Sequence, residues 1–437
     1  MQKPIKTYIL NQTTSDPTMT TTSKSGNTNK FWKGELYQDG TVITYWGRIG
    51  TTGQSKTYPG VGESYLLRMV DDKVKHKYVL RTDIVGENIA SGPATTVNKV
   101  AVADLAAKEI AQGDAIIEKL VRDLSNANIH DITTGTTMKY NDVTGLFSTE
   151  IGVVGYNTII QARSILNKIG KFINKNDFSS SDSMKISSDY LTLIPQNIGR
   201  NRPTLDSFCH DIAAWNKQSS ILDSLEASLD MLEKRKSLPA TDTKKDDPKK
   251  VWDVTFKLVD DGQEIDRVIK KFKKTSQSMH ASSSLKVNRV FDCSIGLMES
   301  AFALDGKNVG NILELWHGTR IGNILSILAK GMIIPKSNES HCTGRMFGDG
   351  LYFSDQSTKS LNYATGYWSG SRENKTFMFL ADVAMGKSYT PSSSGSNFPK
   401  AGYDSTFAEG KKSGVMNNEM IVYRTSQARI TKLIEFK

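Results

Sequence analysis

The sequence is poor in cysteine and in long apolar runs, and each shortage excludes a class of protein. It has only three cysteines in 437 residues. Cys209, Cys293 and Cys342 form no CxxC pair, so we expect neither a disulfide framework nor a zinc finger, and no metal. No apolar run approaches the roughly 20 residues that span a bilayer, and the first six residues (MQKPIK) lack the apolar core of a signal peptide. We therefore expect an intracellular protein without a membrane partner.

The net charge is compatible with a nucleic-acid partner, and the length is sufficient for several domains. The net charge is +10, which is compatible with a polyanionic ligand. The hydrophobic content of 38% and the charged content of 23% are those of a globular protein. A chain of 437 residues is long enough for two or three domains with their own cores.

The first segment, residues 1–90, is predicted to be a small β-rich domain. Residues 13–29 are polar and poor in apolar side chains, so we expect a flexible stretch there. The pair Asp39-Gly40 between two alternating runs predicts a β-hairpin, and residues 63–75 have the period of a helix.

The second segment, residues 97–236, is predicted to be an all-α bundle. It follows a connection at residues 86–96, and a break between helices is expected at 144–152. Apolar residues recur at three- and four-residue spacing over 97–124, 153–173 and 204–234.

The third segment, residues 251–437, is predicted to be a strand-rich domain with few helices. Residues 237–250 (SLPATDTKKDDPKK) precede it and have the composition of an inter-domain linker. The expected fold class is therefore multidomain α+β.

The last domain contains a histidine, aromatic rings and a carboxylate that are candidates for a ligand-binding site. His317 ends a predicted strand before Gly318-Thr319, where a histidine can bond a ligand hydroxyl, although an isolated histidine is more often structural. Gly344, Gly348 and Gly350 allow a close backbone approach to a ligand. Tyr352 and Tyr363 are by themselves more often core aromatics. Glu419 enters an apolar strand, where a carboxylate is exposed at an edge or held for a purpose.

Four motifs in this domain resemble the catalytic domain of the poly(ADP-ribose) polymerases. LWHGT (315–319), MFGDGLYFSD (346–355), KSLNYA (359–364) and NNEMIVY (417–423) match its order and approximate spacing over roughly residues 250–437. The resemblance implies a mixed or antiparallel β ADP-ribosyltransferase domain that uses NAD+ as its substrate. It implies a catalytic triad of His317, Tyr352 and Glu419. The NAD-binding residues that it implies are His317, Gly318, Thr319, Tyr352, Phe353, Ser360 and Tyr363.

The resemblance also implies a role for several of these groups. His317 would hold the adenosine ribose, and the Gly318 backbone with the Ser360 hydroxyl would hold the nicotinamide amide between the rings of Tyr363 and Tyr352. A glutamate at position 419 accompanies polymer formation in the family, whereas an apolar residue accompanies single transfers. The loop 333–345 departs from the family pattern at Ile333 and Arg345, and Asp349 departs beyond it.

The first segment contains a second set of family residues. Residues 45–54 (YWGRIGTTGQ), after the predicted hairpin, resemble the WGR domain, which implies binding to DNA ends and breaks. An indole, a guanidinium and close-approaching glycines suit that ligand. The expected DNA-binding residues are Trp46, Arg48, Lys73, Lys75 and Lys77. The alternative is that Trp46 is a core residue and that the cations form a solvated face.

The second segment resembles the helical regulatory domain of the family, most closely at residues 190–199 (YLTLIPQNIG). That resemblance implies a bundle that shields the NAD site until DNA binds, and a packed scaffold is the alternative. The combined expectation is a DNA-break-activated polymerase that modifies proteins including itself, with a possible helper protein at the acceptor site. It would be nuclear in a eukaryotic host and otherwise cytoplasmic. A mono-ADP-ribosyltransferase and a catalytically degenerate DNA-end-binding scaffold are the alternatives.

Overall fold

The structure, a computed structural model, describes most of the chain in eleven stretches. These are residues 4–12, 30–48, 53–81, 102–141, 145–149, 152–198, 204–236, 252–334, 346–365, 375–395 and 397–437. Four sequence predictions therefore lie outside the described residues: the flexible stretch 13–29, the connection 86–96, the linker 237–250 and loop residues 335–345 with Arg345.

The N-terminal segment is one antiparallel sheet with a helix packed on it. The elements are β1 (Lys6–Gln12), β2 (Lys30–Leu36), β3 (Val42–Arg48), β4 (Gln54–Tyr58), α1 (Gly62–Lys75) and β5 (Val79–Leu80). The strand order is β4-β3-β2-β1-β5. The predicted hairpin is confirmed as β2–β3, and Gly40 in its turn has a φ of +79°, a conformation that favours glycine. Leu66 of α1 packs with Trp32 in the core of this segment.

The middle segment is mainly helical, as predicted, and also contains a small sheet. Its elements are α2 (Val102–Ala111), α3 (Ala115–Gly135), β6 (Lys139–Asn141), β7 (Leu146–Thr149), β8 (Gly152–Val153), α4 (Tyr156–Asn174), α5 (Ser181–Leu193) and α6 (Ile212–Lys236). The helix predicted over 97–124 is interrupted, because Gln112 and Gly113 have φ values of +47° and +94° that a continuous helix does not allow. Within the predicted break at 144–152, the described residues Leu146–Thr149 and Gly152–Val153 are paired strands.

Helix α5 has no counterpart in the predicted pattern, because polar side chains occupy its buried face. Ser183, Ser187 and Thr192 are buried. Their hydroxyls donate to helix carbonyls, as Ser187 does to Ser183 at 2.7 Å and Thr192 does to Ser188 at 2.9 Å. A hydroxyl that is satisfied by its own helix can be buried at low cost, so a search for apolar periodicity misses this helix.

The C-terminal segment contains two sheets with short helices around them. Its elements are β9 (Val254–Leu258), α7 (Gly262–Lys274), β10 (Val287–Ile295), α8 (Gly296–Ala301), α9 (Lys307–Val309), β11 (Ile312–Gly318), α10 (Ile321–Lys330), β12 (Leu351–Phe353), α11 (Ser357–Ala364), β13 (Thr376–Ala384), β14 (Ser388–Tyr389), β15 (Ser405–Ala408), β16 (Glu419–Val422) and β17 (Ala428–Phe436). The strand orders are β11-β13-β17-β10-β9 and β12-β16-β15-β14. All pairs are antiparallel except β14–β15. The predicted α+β class is confirmed.

One backbone bridge joins the two C-terminal sheets beside the predicted site. The amides of Trp316 and Ser354 each donate to the other's carbonyl at 3.0 Å. Trp316 is fully buried, and its indole nitrogen donates to the Thr275 hydroxyl at 3.1 Å. The bridge fixes β11, which carries His317, against the end of β12, which carries Tyr352.

The described residues fall into two compact units. One comprises residues 1–99 and 130–229, and the other comprises 100–129 and 230–437. In the second unit Asn128 of α3 donates to the Gly322 carbonyl at 3.0 Å, and the Trp252 amide donates to Glu109 of α2 at 3.0 Å. Helix α2 and residues 115–129 of α3 therefore belong to the same unit as α10, the helix directly after His317, Gly318 and Thr319. Of the helices in the described stretches, none has the length and apolarity to cross a bilayer.

Candidate functional site

Gly318 ends strand β11 in a position where no side chain fits. A β-carbon built on Gly318 would lie 1.7 Å from the Ser360 carbonyl oxygen, far inside van der Waals contact. The absence of a side chain lets helix α11 pack directly on the strand end. The Ser360 hydroxyl donates to the Trp316 carbonyl at 3.1 Å, so Gly318 and Ser360, predicted from separate motifs, lie side by side.

His317 is held in one orientation by the backbone of β12. Its Nδ1 lies 2.9 Å from the Tyr352 carbonyl oxygen, a contact that requires a proton on Nδ1. Burial lowers the pKa of His317, and the ammonium of Lys359 lowers it further, while the Tyr352 carbonyl opposes both. The neutral ring therefore has Nδ1–H bonded to protein and leaves Nε2 as a hydrogen-bond acceptor for a ligand hydroxyl. The ring of Phe353 lies 5.5 Å from the imidazole.

Tyr352 organises the glycine-containing loop that precedes it. Its hydroxyl donates to the Gly348 carbonyl at 2.8 Å and accepts from the Phe347 amide at 3.0 Å. Its backbone pairs with Ile421 of β16, two residues after Glu419. Tyr352 thus contacts His317 through its carbonyl and is one strand away from Glu419.

Glu419 begins strand β16 as a nearly buried carboxylate with a cation beside it. The ammonium of Lys359 lies 3.3 Å from Glu419 Oε1, and the two side chains are 9% and 14% exposed. The preceding residue, Asn418, is held on two sides. The Ser354 hydroxyl donates to its carbonyl at 2.8 Å, and its own amide donates to Asp355 at 2.9 Å. These bonds fix the start of β16 against the end of β12.

Tyr363 presents an aromatic face one helical turn from this ion pair. It lies on α11, four residues after Lys359, whose ammonium is 5.5 Å from the centre of its ring. The side chain is 43% exposed although its helix is otherwise largely buried. An exposed ring on the same helix as Ser360, three residues further on, suits a flat ligand group.

Three polar residues at this site were missed by the sequence analysis. Lys359 was read only as part of a motif, since most lysines are solvated. The buried atoms Asn323 Oδ1 and Asp355 Oδ1 have no hydrogen-bond partner among the residues that the structure describes, although Asn323 donates through its amide to the Thr319 hydroxyl at 3.2 Å. Unpaired buried oxygens are costly unless a ligand or water satisfies them, so both are consistent with a site that binds a hydroxylated ligand.

The predicted DNA-binding residues lie in and around the N-terminal sheet. Trp46 lies in β3 opposite Trp32, and its partly buried side chain packs against the core. Part of this side chain therefore has a structural role, as the alternative interpretation expects. Arg48 ends β3 opposite Lys30. Lys73 lies in the last turn of α1 with its ammonium 5.7 Å from the Tyr78 ring, and Lys75 and Lys77 are exposed.

The sheet register brings the predicted cations to one end of the sheet. Arg48 is opposite Lys30, and Lys30 is opposite Gln12. The Gln12 side chain donates to the carbonyl of His76 at 2.8 Å, and His76 lies between Lys75 and Lys77. Lys30, which was not predicted, therefore adds a cation between Arg48 and the end of α1. Neighbouring strands are about 4.8 Å apart. The cations at this end of the sheet are therefore close enough to one another to contact phosphates within a short stretch of DNA.

No metal centre is apparent in the stretches that the structure describes. No group of three or more histidine, cysteine, aspartate or glutamate side chains is arranged to hold an ion there. Cys209 and Cys293 are buried, and burial raises the pKa of the Cys209 thiol to about 12.

Comparison with known proteins matches all three segments to one family. The model "Poly(ADP-ribose) polymerase catalytic domain" matches residues 262–414, "WGR domain" matches 15–81, and "Poly(ADP-ribose) polymerase, regulatory domain" matches 117–250. The relatives include "Protein mono-ADP-ribosyltransferase PARP3" of Mus musculus, which is 23% identical over 96% of this chain and 87% of its own length. "Poly [ADP-ribose] polymerase 1" of Gallus gallus is 26% identical over 83% of this chain and 36% of its own length. "Poly [ADP-ribose] polymerase 2" of Arabidopsis thaliana is 24% identical over 85% of this chain and 60% of its own length.

The fold, the catalytic-domain match and the relatives together define an NAD+ ADP-ribosyltransferase. Because the WGR, regulatory and catalytic models match three successive segments of the chain, the chain belongs to the poly(ADP-ribose) polymerase family.

Proposed function

We propose that this chain is a DNA-break-activated enzyme that transfers and polymerises ADP-ribose from NAD+ onto proteins, including itself, in a DNA damage response. The observation that carries the catalytic part is the Lys359–Glu419 pair at the head of β16. A carboxylate that is only 14% exposed is costly, and here it lies in a site with an exposed ring and unpaired buried oxygens.

NAD+ would be held at its nicotinamide end and at its adenosine end by side chains and backbone whose positions are fixed by hydrogen bonds and packing. The nicotinamide amide would pair with the Gly318 backbone and the Ser360 hydroxyl, and its ring would stack on Tyr363 with Tyr352 on the other side. His317, with Nδ1 bonded to Tyr352, would accept a hydrogen bond from the adenosine ribose through Nε2. Thr319 and Phe353 would complete the adenosine side of the site. Positioning of this kind contributes to catalysis by fixing the reacting bond.

The reaction breaks the bond between nicotinamide nitrogen and ribose C1. The electron pair leaves with the nicotinamide, which becomes neutral, and the ribose develops positive charge as in glycoside cleavage. The Glu419 carboxylate would stabilise that charge and accept a hydrogen bond from the ribose 2′-hydroxyl. An acceptor oxygen then bonds to C1, and its proton passes to Glu419 or solvent. Lys359 would hold Glu419 in place.

Polymer formation is proposed because Glu419 can activate a ribose hydroxyl as the acceptor. Mono-transfer is the second candidate, and it is favoured by one specific comparison: the mouse relative that matches 96% of this chain is named a mono-ADP-ribosyltransferase. The two candidates share every step up to the loss of nicotinamide, so product length distinguishes them.

DNA activation is proposed from the cations at one end of the N-terminal sheet and from the contacts of α3. Arg48, Lys75 and Lys77 suit the phosphates of a broken duplex. Asn128 of α3 bonds to the first turn of α10, beside the predicted NAD site, so loosening α3 could alter that site. A nuclear location in a eukaryotic host and a helper protein at the acceptor site belong to the same proposal.

Automodification with labelled NAD+, with and without nicked duplex DNA, tests the proposal. We expect a ladder of modified enzyme that appears at least about tenfold faster with DNA. A single modified band with DNA would support mono-transfer instead. No release of nicotinamide under either condition would support a catalytically degenerate DNA-end-binding scaffold.

A further inference from the structure

A basic cleft on the helical segment shares no lining residue with either site described above. It has a volume of about 420 Å³ and lies between α4 and α5. This volume falls in the range of pockets that hold small ligands, roughly 300–1,000 Å³. The lining residues are Lys168, Lys171, Phe172, Lys175, Asp182, Lys185, Ile186 and Asp189.

The lysines form a row of positive charge along the cleft. Lys168, Lys171 and Lys175 are three and four residues apart on α4, so they share one face of the helix and extend over about 10 Å at 1.5 Å per residue. Lys185 faces them from α5. In the described part of the chain, neither Lys168, Lys175 nor Lys185 has an ion-pair partner within 4.0 Å. A cluster of ammonium groups that repel one another favours a ligand carrying more than one negative charge.

Two carboxylates make the cleft unsuited to a ligand of phosphates alone. Asp182 and Asp189 lie on α5 among the lysines and would repel phosphate. Asp189 is partly buried, and burial raises its pKa while Arg81, Lys185 and Lys168 act against the rise. Partly desolvated carboxylates are strong acceptors for hydroxyl groups, so the cleft combines cations for phosphate with acceptors for a sugar.

An apolar wall completes the binding site. The half-buried ring of Phe172 and the half-buried side chain of Ile186 lie in the same cleft. Aromatic side chains stack on nucleobases with little sequence preference. Phosphate, ribose and base are therefore each matched by a group of suitable chemistry within one cavity.

We propose that the cleft between α4 and α5 binds a ribonucleoside diphosphate, with its diphosphate on the lysines, a ribose on Asp189 and its base against Phe172. ADP-ribose is the probe that carries all three groups. It could arrive as the free nucleotide or as a unit of the polymer. The proposal rests on the proposed function only for this source, because the catalytic segment of the same chain would make ADP-ribose units.

The decisive measurement is ADP-ribose binding to the full-length chain by calorimetry, in the wild type and in a His317→Ala background. The background weakens binding at the NAD site and leaves the cleft intact. We expect binding to persist in His317→Ala, and its Kd to rise at least about tenfold when Lys168→Gln and Lys185→Gln are added. Lys217→Gln, an exposed lysine on α6, is the matched control and should leave the Kd unchanged. Circular dichroism melts of each variant verify folding.

A second variant separates sugar recognition from charge. Asp189→Asn should weaken ADP-ribose binding several-fold but leave inorganic pyrophosphate binding equal or tighter, since pyrophosphate has no hydroxyl for Asp189 and is repelled by its charge. If purified poly(ADP-ribose) competes with ADP-ribose, the natural ligand of the cleft is a unit of the polymer. If it does not compete, the natural ligand is the free nucleotide. Both results support the site.

Three results would overturn the inference. They are complete loss of ADP-ribose binding in His317→Ala, an unchanged Kd in the double lysine variant, and a double lysine variant that loses affinity for nicked duplex but not for ADP-ribose. The last would assign the cleft to DNA. NAD+ turnover by the lysine variant is measured separately, so failure of the proposed function does not mimic any of these results.

Discussion

The ammonium of Lys359 lies 3.3 Å from the carboxylate of Glu419, and neither side chain is more than 14% exposed. The two residues are 60 positions apart in sequence, and each comes from a different motif. Their pairing joins α11, which also carries Ser360 and Tyr363, to the head of β16.

Replacing Glu419 should separate substrate binding from elongation. In Glu419→Gln we expect the NAD+ affinity to stay within a few-fold, because the side chain keeps its size and its oxygen acceptor. Polymer elongation should fall at least about 100-fold, since the proposed general base is lost. Binding is measured by calorimetry, and product length is measured on a sequencing-type gel. Polymer of normal length from the variant would refute the role of Glu419.

Removing Lys359 should destabilise the unit that comprises residues 100–129 and 230–437 (the C-terminal unit), and it should also reduce activity. Lys359→Met leaves the Glu419 carboxylate nearly buried and without its cation, which costs about 3 kcal/mol in such pairs. Urea unfolding measures this loss. Lys412→Met is the control, because its pair with Glu409 is 70% and 36% exposed and should contribute less than about 1 kcal/mol.

A double variant tests whether the effect is specific to the pair. Lys359→Met combined with Glu419→Gln should recover part of the stability, since no charge is then left unpaired. If the two losses simply add, Lys359 acts through packing and the ion-pair account is wrong.

The tight packing at Gly318 predicts that even one methyl group is not tolerated. Gly318→Ala would place its β-carbon 1.7 Å from the Ser360 carbonyl, so α11 must move away from β11. We expect a loss of about 3 kcal/mol in unfolding free energy and weaker NAD+ binding. Gly155→Ala is the control, since no atom of the described residues lies within 4 Å of a β-carbon there. Equal stability of the two variants would show that α11 is not fixed by Gly318.

Residues with an unusual type for their position could be found from the sequence, whereas residues whose importance depends on a distant partner could not. Glu419 stands out in an apolar strand, and His317 stands out beside a glycine. Lys359 looks like any surface lysine until the fold buries it. In the same way, helix α5 was missed because the hydroxyls of Ser187 and Thr192 are satisfied within the helix.

The depressed pKa of His317 predicts an acid-sensitive fold. Its folded pKa lies below 6.5, so in the range between the two values the unfolded chain binds more protons, and stability falls as the pH falls. Urea unfolding at pH 7.5, 6.5 and 5.5 should show this slope, and His317→Gln should reduce it. A smaller slope should remain, because burial also lowers the pKa of His280.

The register of the N-terminal sheet predicts which cations act together on DNA. Arg48, Lys30 and the end of α1 are linked through Gln12, so they should contact neighbouring phosphates. Arg48→Ala and Lys77→Ala should each weaken binding to nicked duplex, and each should reduce the slope of log K against log salt by about 0.9. Lys412→Ala, an exposed lysine of the C-terminal unit, should change neither. Fluorescence anisotropy at 50 to 200 mM salt, roughly the range over which such contacts weaken, measures both quantities. An unchanged slope in Arg48→Ala would place the DNA elsewhere, whereas a slope reduced in Arg48→Ala but not in Lys77→Ala would limit the contact to the strand ends of the sheet.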